Sequence, residues 1–297
     1  MKIISFLLPL FFLACSSPKG TVQIFVTPES TISEGIEAGT EEDTIQDGWT
    51  VRYDKFLVSI GDFRSGADAT KVEVNDDEVY VADLKQIDSA GEVFVTFENI
   101  EAKRYGYFSY SFLTSPTSKP VGSISDADLA LMREHTLYVV GSISKPGQTP
   151  ITFRLGYKGA TRFGECAAEE DGPSGYAVTE GGTVAIKPTL HGDHWFFTSD
   201  PHTTTPKRLA QWLATADANG DNEVTTEELK AQTNVAALFP ASAGYNFSGL
   251  PVQPIENAFH YFGAMTRTLG HFNGDGHCED IRVLSKDPSD PASLQVD

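Results

Sequence analysis

The sequence predicts a mainly β protein with an α-rich C-terminal part, and three observations carry that expectation. From Thr21 to about residue 205, β-branched and aromatic residues alternate with polar ones in short runs separated by turn residues, the pattern of half-buried strands. From Pro206 onward the apolar spacing lengthens to three and four, the period of an amphipathic helix. Many short strands in one body imply a sandwich or barrel, so residues 21–205 read as a β-sandwich-like domain and 206–297 as a helical region.

Taken in order, the chain opens with a targeting pattern over residues 1–14, in which Lys2 is followed by the apolar run Ile3 to Leu13, too short to cross a bilayer. The run ends Phe12-Leu13-Ala14-Cys15-Ser16-Ser17, which resembles a bacterial lipobox, with Phe12 where Leu is usual and Leu13 where a smaller residue is commoner. That resemblance implies cleavage before Cys15, lipidation of its thiol, and a polar tether over 15–20. Ser16 after the cysteine implies sorting to the outer membrane, so the expected membrane partner is reached through a lipid anchor.

Strands are expected at Val22 to Thr27, Trp49 to Ile60, Glu78 to Leu84, Glu92 to Phe97, Tyr105 to Phe112, Thr136 to Ser144, Ile151 to Tyr157 and Thr183 to Leu190. One helix interrupts them, Asp126 to Glu134, because Ser125 is a good N-cap and Asp126 and Asp128 suit the positive end of the helix dipole. Its apolar side, Leu129, Leu131 and Met132, is expected to cover one end of the sheets. Between Lys19 and Arg52 there is no basic residue, and Glu29, Glu34, Glu37, Glu41, Glu42, Asp43 and Asp47 accumulate in what reads as a solvated loop.

In the C-terminal part, Leu209, Trp212, Leu213 and Ala216 form an apolar helical stripe over Lys207 to Ala216. A second helix is expected from Thr226 to Gln232, and a third from Ile255 to Leu269 with Phe259, Phe262, Met265 and Leu269 on one side. Between the first two lies Asp217-Ala-Asn-Gly-Asp-Asn-Glu-Val-Thr-Thr-Glu-Glu228. Asp217, Asn219 and Asp221 occupy positions 1, 3 and 5 of a twelve-residue loop, Glu223 offers its carbonyl from 7, Thr225 sits at 9 and Glu228 closes it at 12. A hard cation that takes six to eight oxygens needs such alternate inward-pointing donors and a bidentate carboxylate to finish the shell. The segment resembles the EF-hand family over about thirty residues, which implies Ca2+ as the ligand and an EF-hand-containing helical region after the β body. Asn222 stands where the family has Gly, and is the next most tolerant residue for the left-handed backbone needed there. An acidic surface turn before a helix is the plainer alternative.

His271-Phe-Asn-Gly-Asp-Gly-His-Cys-Glu-Asp-Ile-Arg282 places Asn273, Asp275 and Gly276 like a second hand, yet His271 and Arg282 stand where carboxylates belong. It reads either as a degenerate partner hand or as a Gly-rich turn. Cys166 and Cys278 remain after Cys15, and one pair in an exported chain reads as a disulfide, against free buried thiols or metal ligands. With 41 acidic and 22 basic residues the net charge is −19, which repels nucleic acid and anionic membrane surfaces and favours divalent cations.

Four histidines fall in two short clusters, His191 with His194 and His271 with His277, in Gly-containing loops. They read as polar loop and capping residues or as a zinc or copper site, since neither spacing matches a zinc finger or a zincin helix. Serine-hydrolase elbow, phosphate-loop, zincin and dinucleotide-binding motifs are all missing, so no catalytic residue is nominated. The expected function is that of a non-catalytic calcium-binding lipoprotein of a bacterial cell envelope, its calcium structural. The alternative is a periplasmic transition-metal protein or metalloenzyme, and carbohydrate or protein binding by the β body rests on fold analogy alone.

Overall fold

The computed structural model describes residues 17–88, 90–169, 172–201, 205–250, 252 and 254–285. The leader and Cys15 lie outside the described residues. No helix among the described residues is long and apolar enough to cross a membrane.

The chain is mainly β. It opens with β1 (Lys19–Val26), a one-turn helix α1 (Ser30–Ser33), and the long β2 (Thr50–Gly66). There follow β3 (Val72–Asp83), β4 (Glu92–Glu101), β5 (Arg104–Tyr105), β6 (Tyr107–Phe112), β7 (Lys119–Val121) and α2 (Asp126–Met132). The middle of the chain contributes β8 (Leu137–Ser144), β9 (Ile151–Tyr157), β10 (Ala160–Gly164), β11 (Tyr176–Ala177), β12 (Thr183–Ile186) and β13 (Pro188–Leu190). After a 3-10 turn at His194–Phe196 come α3 (Gln211–Ala216), β14 (Glu223–Thr225), α4 (Thr226–Ala231), α5 (Val235–Leu238) and α6 (Ala258–Thr266). The C-terminal strands are β15 (Gly270–Phe272), β16 (Gly276–His277) and β17 (Glu279–Ser285).

The main sheet runs β14-β9-β8-β2-β6-β10-β17, with β3 on β2 and β7 on β3. Its spine is β2, which pairs with β8 through its first half and with β6 and β3 through its second. Register shifts at Tyr53/Lys55 and Gly61/Phe63 bend the strand, and Asp62 takes a positive φ of 54° at the second. The bend lets the sheet curl around Trp49, Tyr53, Phe56, Tyr110, Tyr157 and Phe163, all buried at 2 % exposure or less. Three smaller sheets among the described residues, β12-β1-β4, β13-β15-β16 and the two-stranded β11-β5, accompany it.

Residues 206–285 are less helical than the α-rich region expected there. They supply β14 and β17 to the main sheet, and their helices are short. The first is Gln211–Ala216 because residues 207–209 instead pair with the 196–198 segment, through Thr198 N–H to Lys207 O and Leu209 N–H to Phe196 O. Helix α6 starts at Ala258, where Asn257 caps it by accepting the His260 N–H at 2.8 Å. Every residue of α6 is buried, including His260 and Thr266, so it is a core helix with no solvent face.

Helix α2 begins where Ser125 and the acidic first turn place it, and ends at Met132. It packs Met132 with Leu57 and Val81 on β2 and β3, Leu129 and Leu131 being half-buried beside them. In the acidic segment, Glu34, Glu37, Glu41, Glu42 and Asp43 are exposed, while Ile32, Ile36 and Ile45 are buried in the core, so the segment is anchored through its apolar residues. Cys166 and Cys278 are bonded, tying the end of β10 to the start of β17 across a sequence separation of 112.

Candidate metal sites

Two clusters of ligand-type side chains stand out among the described residues, Asp217 with Asp221 and Glu228, and His191 with His194 and His271. In each, one donor atom per residue lies within 4.8 Å of the others.

The acidic cluster sits on a loop folded by its own side chains. Asp217 ends α3 and accepts the N–H groups of Gly220 at 2.8 Å and Asn222 at 3.0 Å. Asn219 accepts the Asp221 N–H at 2.8 Å, and Asp221 accepts the Glu223 N–H at 2.9 Å. Asn222 has φ 65°, a left-handed backbone that an asparagine tolerates better than most residues. Thr225 caps α4 reciprocally with Glu228: its hydroxyl accepts the Glu228 N–H, while Glu228 Oε2 accepts the Thr225 N–H at 2.9 Å. The Thr225 hydroxyl is thereby committed to the cap. Glu228 Oε1 is buried and has no hydrogen-bond partner among the described residues.

Sequence spacing does not reveal what the loop leans on. Val224, fully buried, pairs in parallel with Phe153 of β9, while Glu223 pairs with Thr152 and Thr225 with Arg154. Thr152 N–H donates to Asn222 O at 2.9 Å, Gly156 N–H donates to the Thr226 hydroxyl at 2.9 Å, and Glu223 forms an ion pair with Arg154 at 2.9 Å. The loop therefore protects an edge of the main sheet, a role filled in other proteins by a covering helix or a charged edge. The 271–282 segment is not its partner: Asn273 and Gly274 turn the β15–β16 hairpin, with φ 54° and 101°, and β15 pairs with β13.

Helix α3, which enters the loop, has Ala210 at its N-cap and no cap from its own side chains. Asp47 supplies it from far away in sequence, its Oδ2 accepting the Ala210 N–H at 2.9 Å and the Gln211 N–H at 2.8 Å. Burial pushes the Asp47 carboxyl above its ordinary value, opposed by those backbone N–H groups and by Lys145. The folded protein thus holds the Asp47 proton more tightly than the unfolded chain does, so this contribution is full below the ordinary carboxylate range and fades as pH rises through the raised value. Asp47→Asn should flatten that part of the profile: melting temperatures measured from pH 3 upward, about the acid range where carboxyls titrate, should show wild type losing ground to the variant as pH rises. A constant difference would refute the assignment.

The histidine cluster is assembled from two strands and a turn. His191 follows β13, His194 opens the 3-10 turn, and His271 lies in β15 opposite Thr189. Ring centroids are 4.1 Å apart for His191 and His271, 5.2 Å for His194 and His271, and 5.5 Å for His191 and His194. The intervening Gly192 is required by close approach, since a Cβ there would meet Ile32 Cγ1 at 2.9 Å and Tyr53 Cε2 at 3.0 Å. His277 pairs with His271 across the hairpin, but its Nε2 lies 3.1 Å from Glu279 and it is not in the converging set.

Buried hydroxyls brace the backbone of this cluster. Tyr53 donates to Gly192 O, Tyr110 to His271 O at 2.9 Å, and Tyr261 to Trp195 O at 2.9 Å and Phe197 O at 2.6 Å. Burial raises the pKa of all three tyrosines well above the ordinary phenol value, so they remain donors. Trp195, Phe196 and Phe197 are core residues, within and just after the 3-10 turn. Among the described residues, the large apolar side chains that are exposed are Val93 and Ile281, neither of them aromatic.

Comparison with known protein families, with curated proteins and with solved structures finds no match in any of the three.

Proposed function

We propose that the protein is a calcium-binding lipoprotein of a bacterial cell envelope, held to the outer membrane through Cys15, in which calcium at Asp217, Asn219, Asp221, Glu223, Thr225 and Glu228 stabilises the fold. On this reading the curled sheet and its companion sheets act as a sandwich-like body, and the EF-hand-like loop belongs to the C-terminal part. The observation that carries it is the buried, partnerless Glu228 Oε1 in a cluster with carboxylate oxygens of Asp217 and Asp221 within 4.8 Å. Like charges at such separations repel by about 1 to 4 kcal/mol per pair between bulk water and a protein surface. A divalent cation reverses the sign of that interaction and supplies the missing partner.

Anchorage of β14 on β9 explains how such a site would stabilise: ordering the loop also orders a sheet edge. Calcium modules outside the cytoplasm bind at roughly 10⁻⁴ to 10⁻³ M, so they are filled where ambient calcium reaches or exceeds that range. Calorimetric titration of chelator-treated protein should show one calcium in that range, and Glu228→Gln should abolish the heat signal and the calcium-dependent rise in melting temperature. Equal titration curves for the two proteins would dispose of the proposal.

A further inference from the structure

The histidine cluster carries an inference independent of the calcium loop. We propose that His191, His194 and His271 form a binding site for a borderline divalent transition metal, Zn(II) or Cu(II), held by three neutral imidazoles with the remaining position left to solvent or an exogenous ligand.

Geometry comes first. Three donor atoms with mutual separations of at most 4.8 Å fit within a circle of radius about 2.8 Å, against metal–nitrogen distances of roughly 2.0 to 2.1 Å. Side-chain shifts under an ångström close that gap. The carbonyl of His271 and the turn after His191 are fixed by Tyr110 and Tyr53, so the rings move on a held backbone.

Hydrogen bonding then sets the tautomers. His271 Nδ1 lies 3.1 Å from Gly276 O, a pure acceptor, so Nδ1 carries the proton and Nε2 the lone pair. His194 Nδ1 lies 2.9 Å from the Thr268 hydroxyl, which gives its own hydrogen to Met265 O at 2.8 Å. Thr268 therefore accepts, and His194 too directs the lone pair of Nε2. Outer partners of this kind, a carbonyl or hydroxyl behind the ring, are what orient metal-ligating histidines.

A second observation points to a cation. Asp193 is 1 % exposed; its Oδ2 is held by Arg208 at 2.7 Å, whereas its Oδ1 has no hydrogen-bond partner and lies 4.0 Å from His191 Nδ1. Arg208 meets one oxygen of this carboxylate only, and the other, buried without a hydrogen, still costs free energy that a positive charge on its own side offsets. A metal bound by His191 places that charge beside it. On the other side of the ring, Asp275 is fully exposed and sits 4.0 Å from His191 Nε2, which marks the solvent side of the cluster.

Ligand chemistry selects the metal. Imidazole suits zinc and copper, oxygen-seeking calcium and magnesium do not compete for it, and Cys166 and Cys278 are consumed in their disulfide, so no described thiolate favours Cu(I). Within the class, Cu(II) is expected to bind more tightly than Zn(II).

The test uses the full exported chain, stripped by chelator and titrated separately with zinc chloride and copper sulfate against a chromophoric competitor. One equivalent of each should bind with submicromolar affinity, and the copper form should show nitrogen hyperfine splitting in its electron paramagnetic resonance spectrum. His194→Gln and His271→Gln should each lose more than the roughly 10- to 100-fold typical of removing an outer partner, while His277→Gln binds as wild type. Calcium titration and metal-free melting of the same variants verify the fold. His191→Gln, altering the ring on the solvent side, serves if the buried variants do not fold. Binding of neither metal, or equal affinity in wild type and all three ligand variants, would overturn the assignment, and neither result bears on the calcium loop.

Discussion

Replacing both Cys166 and Cys278 by alanine is expected to lower the stability of the folded chain by about 4 kcal/mol, within the range of about 2 to 5 kcal/mol typical of removing a native disulfide. The bond closes a loop with a sequence separation of 112, and the chain-entropy model assigns such a loop roughly 4 to 5 kcal/mol. Local structure adds to the effect, because the bond sits where β10 and β17 come into register, Gly164 opposite Glu279, and where Ala167 N–H donates to His277 O at 2.8 Å. Both cysteines are nearly inaccessible, at 0 % and 3 % exposure, so reductant should act on native protein only through opening. Urea unfolding of oxidised wild type and the double variant measures the difference, and a value below about 1 kcal/mol, the size of one hydrogen bond, would show that strand pairing alone holds this junction. Because the bond anchors the hairpin carrying His271, the three-histidine site proposed above predicts weaker zinc binding in the same variant.

Trp212→Ala should destabilise by about 3 to 5 kcal/mol, the range for deleting a buried aromatic. Trp212 is 1 % exposed, with ring centroids 5.3 Å from Tyr261 and 5.7 Å from Phe239, and its Nε1 donates to Trp195 O at 3.1 Å. Trp212→Phe should cost less, roughly 1 to 2 kcal/mol, because a ring still fills most of the space and Trp195 O keeps its hydrogen bond from Tyr261. Packing thus outweighs the hydrogen bond. Trp212 precedes Asp217 by little more than a helical turn, so on the calcium reading proposed above the alanine variant should also show weaker calcium binding than the phenylalanine variant. Equal losses in the two variants by chemical denaturation would place the energy in the hydrogen bond instead.

Strands were legible where alternation is long and regular. Ile151–Tyr157 has the expected bounds, and β8 starts one residue after the expected Thr136. The extension of β2 to Gly66 was hidden because a register shift at Asp62 interrupts the period of two without ending the strand. Strands β10 and β17 were missed for a different reason: Ala160–Gly164 is short, with arginine and glycine among its five residues, and its pairing depends on a strand far away in sequence. Helix ends were overextended at α3 and α6, where competing backbone partners in the 196–198 segment and the Asn257 cap decided the start.

Candidate sites divided in the same way. The loop from Asp217 to Glu228 was readable because its donors lie within twelve residues, and local Asx and capping bonds shape it largely without outside help. The histidines were readable only as two clusters. Nothing in their spacing selects His191, His194 and His271 over His277; that choice follows from β13 pairing with β15, which brings the rings together and turns His277 toward Glu279. Asp47 as the cap of α3 and Asp193 as the partner of Arg208 left no sequence signal, since a lone aspartate in a loop looks the same whether solvated or buried.

By itself, the sequence determined what short-range physics determines: alternation for the strands, Ser125 as a cap, the left-handed Asn222, and the clustering of acidic and amide side chains in one loop. Tertiary structure decided which sheet edge that loop covers and which three histidines meet. Those outcomes depend on strand register and chain closure over long separations, where a shift of one residue turns a side chain to the opposite face.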